Sequence, residues 1–181
     1  MLSALRTLEW TGFPRYAALL VAAMGLTVLF GWALDVTPIK NLLPGTVTMK
    51  ANTALCFLLA GCALFLYLQT PGWQRLVQSM ALAVAAIGLA TLGEYGFGWQ
   101  LGIDQLLFRE PADALYTLHS GRMSVYAATG FSATGFALLA LSRQALRLPA
   151  QLAAALTILV GVVPLLGYLG NISSLGGCPR I

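Results

Sequence analysis

Apolar residues run along this chain in five long stretches separated by polar intervals. They lie at roughly 16–34, 51–69, 76–95, 123–142 and 150–169. A helix that crosses a bilayer needs about 20 largely apolar residues, and each stretch meets that length. The pattern predicts an all-α membrane protein of about five transmembrane helices. The first stretch follows Arg6 and Arg15, as in a signal peptide, but it is long and no small-x-small cleavage site follows it. It reads as a retained signal anchor.

The polar intervals alternate in length. TPGWQR (70–75) and RQALRLP (143–149) are tight and carry Arg75, Arg143 and Arg147. The segments 35–50 and 96–122 are longer and hold Asp35, Asp104, Glu110 and Asp113. Lys and Arg are denser in the N-terminal segment and the tight turns, which the positive-inside rule assigns to the cytoplasm. The long loops and, after five spans, the C-terminus are then expected outside. Composition agrees: 59% of residues are hydrophobic and 9% charged, against roughly 25% charged in a soluble domain. The first partner is therefore the lipid bilayer. A net charge of +4 from scattered residues is too little for a nucleic-acid surface.

The pattern also repeats. Shifting the chain so that Met49 falls on Met123 lays MKANTALCFLLAGCAL (49–64) over MSVYAATGFSATGFAL (123–138), with Ala54/Ala128, Phe57/Phe131 and Gly61/Gly135 coinciding. The same offset pairs Ala81 with Ala155 and Gly93 with Gly167. One offset held across two helices predicts tandem helical hairpins: repeat one at about 31–95, repeat two at about 98–169, and the start of a truncated third unit at 170–181. GWAL (31–34) and GWQL (98–101) mark the helix-to-loop junctions, each followed by a short amphipathic stretch, IKNLLPG and IDQLLF. Trp99 is either an interfacial anchor or part of a loop that folds back to shape a site.

Polar residues at the helix starts supply the candidate site. Thr48 is placed to cap the helix that begins near residue 50, and Lys50 to snorkel toward headgroups. Asn52, beside Thr53, is costly facing lipid, so it hydrogen-bonds a neighbouring helix or contacts a ligand. Glu94 ends the third helix on a small-residue face with Ala86 and Ala90, a face suited to a homodimer. It is either an interface anchor or a member of a polar cluster with Lys50 or Arg122. Lys50, Asn52, Thr53, Glu94, Trp99, Asp104 and Arg122 thus form the candidate ligand or polar cluster, while Asp104, Arg109 and Glu110 read as a solvated loop face. No catalytic, cofactor or metal site is expected. His119 is the sole histidine, Cys56 and Cys62 do not share a helix face, and neither C-x-x-C nor G-x-S-x-G occurs.

MKANTALCFLLAG, LGIDQLLF (101–108) and GRMS (121–124) followed by F-x-x-x-G-x-A-L resemble the N-terminal multi-span sensor region of bacterial PAS/GAF-containing sensor histidine kinases and some diguanylate cyclases. The resemblance extends over essentially the whole chain. It implies a sensory input region of the bacterial inner membrane that responds to an unknown ligand. The chain departs from the pattern at Tyr126, Ala127 and Ala128, where the family repeats Asn-Thr-Ala, so only Asn52 keeps the amide. No His-box helix, ATP-binding glycine motif or GGDEF-like motif follows. The expectation is an input region without its kinase output, not itself an enzyme. The alternatives are a small transporter or channel subunit, or a structural subunit binding another membrane protein. A transporter would want a polar stripe at the bilayer midplane, where these helices offer Ser, Thr and Gly.

Overall fold

A computed structural model describes residues 2–40, 48–69, 71–110, 119–141 and 143–169. Asp113, Cys178, most of IKNLLPG and the tail 170–181 lie outside the described residues. Helices form where the apolar stretches stand. They are α1 (Leu2–Ala33), the single turn α2 (Thr37–Lys40), α3 (Ala51–Gln69), α4 (Gln74–Phe97), α5 (Val125–Ala140) and α6 (Arg147–Leu169). Among the described residues four stretches are long and apolar enough to cross a membrane: Gly12–Ala33, Ala51–Gln69, Gln74–Phe97 and Arg147–Leu166. The fifth, α5, is a shorter apolar helix of 16 residues, about 24 Å at 1.5 Å per residue. Its expected first residues are drawn off because the Ser124 hydroxyl accepts the Ala127 N–H at 3.1 Å, which fixes Ser124 as an extended cap.

Each helix end has a local cause. Gly98 takes a left-handed conformation (φ 67°) that stops α4. Tight links with one 3₁₀ turn each, Pro71–Trp73 and Gln144–Leu146, send α3 into α4 and α5 into α6. At the start of α3 the first helical bond runs from Ala54 N–H to the Lys50 carbonyl, so Lys50 holds the cap position. Thr48, expected there, stands two residues earlier, outside the helix.

Glycine sets how closely the helices approach. A Cβ at Gly25 of α1 would lie 2.6 Å from Leu58 N of α3, and one at Gly61 of α3 would lie 2.6 Å from Ala22 N of α1. The Gly25 position also presses on the Ala54 carbonyl oxygen. The α4–α5 contact has the same form. A Cβ at Gly88 would lie 2.7 Å from the Ala128 carbonyl oxygen, and one at Gly135 would lie 2.5 Å from Ala85 N. The positions correspond. Ala54/Ala128 and Gly61/Gly135 keep the offset of Met49 to Met123, while Ala22/Ala85 and Gly25/Gly88 keep a second, shorter one. Ring donors close both pairs: Trp32 Nε1 donates to the Met49 carbonyl at 2.9 Å, and Tyr95 OH to the Met123 carbonyl at 3.1 Å. Here the donors follow the shorter offset and the acceptors the longer. Trp99, which the sequence aligns with Trp32, instead stacks on Phe97 at 4.9 Å.

In the centre α3 packs against α1, α4 and α5, and α5 against α3, α4 and α6. Phe57 and Phe131 meet edge to face at 4.9 Å where α3 crosses α5, over a core that includes Cys56, Ala60, Val84 and Ala128. On the other side a groove of about 530 Å³ runs among α1, α3, α5 and α6.

Candidate functional site

The loop after α4 folds back over the helix ends, and the charged residues decide how. Glu94, in the last turn of α4, accepts the Leu101 N–H at 3.0 Å, which turns the chain across the bundle. Left-handed Gly102 (φ 70°) leads into a 3₁₀ turn at Ile103–Gln105. The Asn52 amide of α3 donates to the Ile103 carbonyl at 2.8 Å. Asn52 is thus a buried hydrogen-bonder as expected, but its partner is the loop and not a neighbouring helix. Thr53 beside it is half-buried. Phe108 then stacks on Trp32 at 5.9 Å, bringing the loop to the end of α1.

Lys50 corrects the sequence reading. Its side chain is 8% exposed, and Nζ lies 2.5 and 2.6 Å from the two oxygens of Glu110. It turns inward to a buried partner and does not snorkel. Glu110 is itself 6% exposed and also accepts the Gly121 N–H at 2.6 Å. Gly121 has no freedom to change. Its φ is 78°, and a Cβ would collide with the Asp104 carbonyl oxygen. Two loop acids expected on a solvated face are therefore inside, because each finds a cation that the fold delivers; Arg109 between them is exposed.

Arg122 is the second cation. Its Nε donates to Asp104 Oδ2 at 2.7 Å and stands 3.4 Å from Glu94 Oε2. The guanidinium also lies 5.2 Å above the Tyr95 ring. Of the expected cluster, the structure brings together Glu94, Asp104 and Arg122. Lys50 pairs elsewhere, but Gly121 and Arg122 are adjacent and join the two pairs along the chain. Trp99 stays outside, half exposed, its ring covering Gly93. At the α1 end Lys40 bonds Asp35 at 2.5 Å and sits 4.5 Å over the Trp32 ring. That ammonium holds the Asp35 carboxyl below the usual carboxylate range.

Charges this buried are costly unless paired and hydrogen-bonded, so the loop is held only while the pairs stay intact. Arg122 faces two carboxylates. Among the described residues Glu94 Oε2 and Asp104 Oδ1 are buried and accept no hydrogen bond. The Lys50–Glu110 pair is one to one, whereas in the second cluster two carboxyl groups share the single Arg122. Two residues of this site escaped the sequence reading, Glu110 and Gly121. The available signal was Gly121 standing directly before Arg122, a glycine–cation step at the end of an acidic loop.

In comparisons with known proteins, no family model, no characterised sequence and no solved structure matches the chain.

Proposed function

We propose that this chain is the membrane-embedded sensory input region of a bacterial signal-transduction protein of the histidine kinase type. It would lie in the inner membrane with five spans, the N-terminus cytoplasmic and the long loops outside. The observation that carries the reading is the latched loop. Residues 99–110 tie the ends of α1, α3, α4 and α5 together through Trp32–Phe108, Asn52–Ile103, Lys50–Glu110, Glu94–Leu101 and Arg122–Asp104. A stimulus that shifts this loop acts on four helix ends at once, and a ligand with different affinity for two loop positions shifts the population between them.

The matched helix contacts support a tandem-unit design. In this frame each unit is a first helix, an outer loop and a second helix: α1 with α3, then α4 with α5. The unit is framed differently from the sequence repeat, with Tyr95 and not Trp99 standing for Trp32. The loop of the second unit is longer by the difference between the two offsets, and that added length includes room for the acids of the latch.

The test uses the protein reconstituted in liposomes, with Arg109→Cys carrying an environment-sensitive fluorophore on the loop. Outer pH, salts and small solutes are then varied. The sensor reading expects at least one condition that changes emission, with the response lost in Lys50→Met. Solute flux across the liposomes with no emission change under any condition would replace it with the transporter reading.

A further inference from the structure

Among the described residues three buried side-chain oxygens have no hydrogen-bond partner, Thr91 Oγ1, Glu94 Oε2 and Asp104 Oδ1. They gather at the loop end of α4. Thr91 is wholly buried and stands one turn before Glu94 on the same side of the helix. The Glu94 side chain is 1% exposed; Oε1 accepts the Leu101 N–H, and Oε2 lies 3.4 Å from Arg122 Nε. That nitrogen bears a single N–H, and Asp104 Oδ2 takes it at 2.7 Å. Glu94 Oε2 is left beside the charge but without the bond. Asp104 in turn comes within side-chain reach of Glu94. Two ionised carboxylates here would face one guanidinium, so the buried site is short of one positive charge and one donor. A single proton supplies both. A protonated carboxyl is a donor, and its neighbour is then the acceptor. Carboxyl groups this close bind a proton as a pair, because like charges in one buried site do not both stay ionised.

We propose that Glu94 and Asp104 share one proton, taken from water on the loop side, and that this proton holds the latch closed. Water reaches the pair because the Arg122 and Asp104 side chains are 11% and 12% exposed. When the proton returns to water, two negative charges face one cation. Asp104, the member on the loop, is repelled, and with it the neighbouring Ile103 carbonyl that Asn52 holds. The closed latch binds one proton more than the open one, in which both carboxyls meet water and ionise in the ordinary carboxylate range. Closure is therefore favoured as pH falls and lost as pH rises. The other charged and titratable groups nearby are engaged or remote from the pair. Lys50 of α3 is held by Glu110, the Tyr95 hydroxyl donates to the Met123 carbonyl, and Arg109 is exposed. His119, whose ring lies 6.2 Å from that of Tyr95, is the competing group, since imidazole titrates near neutrality. The shared proton stands apart from the sensor reading. Its role as a stimulus rests on that reading, and names outer pH as the variable that the input region follows.

The test is infrared spectroscopy of the full chain in detergent, which separates the C=O stretch of a protonated carboxyl from carboxylate bands. One protonated carboxyl is expected at neutral pH, lost on alkaline titration and absent from both Glu94→Gln and Asp104→Asn. Glu94→Gln keeps an acceptor for Leu101 and gains a fixed donor for Asp104, so it imitates the protonated pair and stays folded. A fluorophore on Arg109→Cys, in a background where Cys56, Cys62 and Cys178 are Ala, reads the loop. Its emission should shift with the midpoint of the infrared titration. The shift should shrink at least tenfold in Glu94→Gln and persist in His119→Gln and Thr91→Val. No protonated carboxyl at neutral pH, a band that survives in either acid variant, or a band without a loop shift overturns the proposal. A shift lost in His119→Gln overturns it in favour of the imidazole. A shift that follows sodium at fixed pH and is lost in Thr91→Val overturns it in favour of a metal cation on the orphaned oxygens. Proton flux through the reconstituted protein, with band and shift intact, would retire the sensor reading and leave the shared proton standing. A loop response to another solute with no band would do the reverse.

Discussion

Lys50 shows how far a single residue can be read. Its position in the first turn of a membrane helix was plain from the sequence, but its partner lies 60 residues away, and no local pattern encodes a contact set by the path of a loop. The same holds for Asn52, whose need for a hydrogen bond follows from the cost of an amide in lipid while its acceptor, Ile103, does not. Glu94 was legible for the opposite reason. An acid at a helix end and an arginine at the next helix start share one membrane face, so their meeting needed only the topology. The pairing has a measurable consequence. Lys50→Met leaves Glu110 buried without its cation, and should lower stability in detergent by about 3–5 kcal/mol. Glu110→Gln removes the other charge and is costly for the same reason. Combined, the two should cost well below the sum, because the double variant buries no lone charge at this position. Additive losses in a thermal or denaturant melt would mean that the pair does not couple loop to helix.

At the scale of elements, the apolar stretches located α3, α4 and α6 to within a few residues, since a long unbroken apolar run leaves few alternatives. α5 came out shorter because Ser124 caps it, and α1 longer because its helix continues through the polar N-terminal residues. The frame of the proposed tandem-unit design is harder to see. Positions in α3 and α5 keep one offset while those in α1 and α4 keep a shorter one, so a single slide of the sequence finds half of the proposed correspondence. Glycine contacts restore it and can be tested. Gly88→Ala and Gly135→Ala place a methyl group against backbone at 2.7 and 2.5 Å, and each should destabilise the bundle by about 1–3 kcal/mol. Gly25→Ala and Gly61→Ala should do the same for α1 and α3. Gly161→Ala meets open space and should be neutral or stabilising by up to about 1 kcal/mol. A uniform response of all five variants would dissolve the matched-contact argument. Gly121→Ala belongs with the costly group, because its positive φ and its closeness to Asp104 leave no room for a side chain; it should release the loop while leaving the helical circular dichroism intact.

For the whole molecule the question is whether α5 crosses the membrane. At about 24 Å it is shorter than the roughly 30 Å hydrocarbon layer, and a short helix is accommodated by local thinning or by polar flanks that reach inward. Its flanks suit that. Arg122 lies before it, already neutralised by Glu94 and Asp104, and Arg143 follows it in exposed chain. Both tight links carry arginine, at Arg75 and at Arg143 and Arg147, and the proposed topology puts them on the cytoplasmic face, with the latched loop and its paired acids on the other. If α5 spans, a membrane-impermeant maleimide applied to intact cells should label Arg109→Cys in a cysteine-free background. Arg75→Cys and Arg143→Cys should then be labelled only after the cells are opened. The position at 143 is decisive. Were it labelled from outside together with 109, α5 would enter and leave on the same face, and the count would fall to the four long helices. The latch would then act on a re-entrant helix, with no rigid path from loop to cytoplasm through α5.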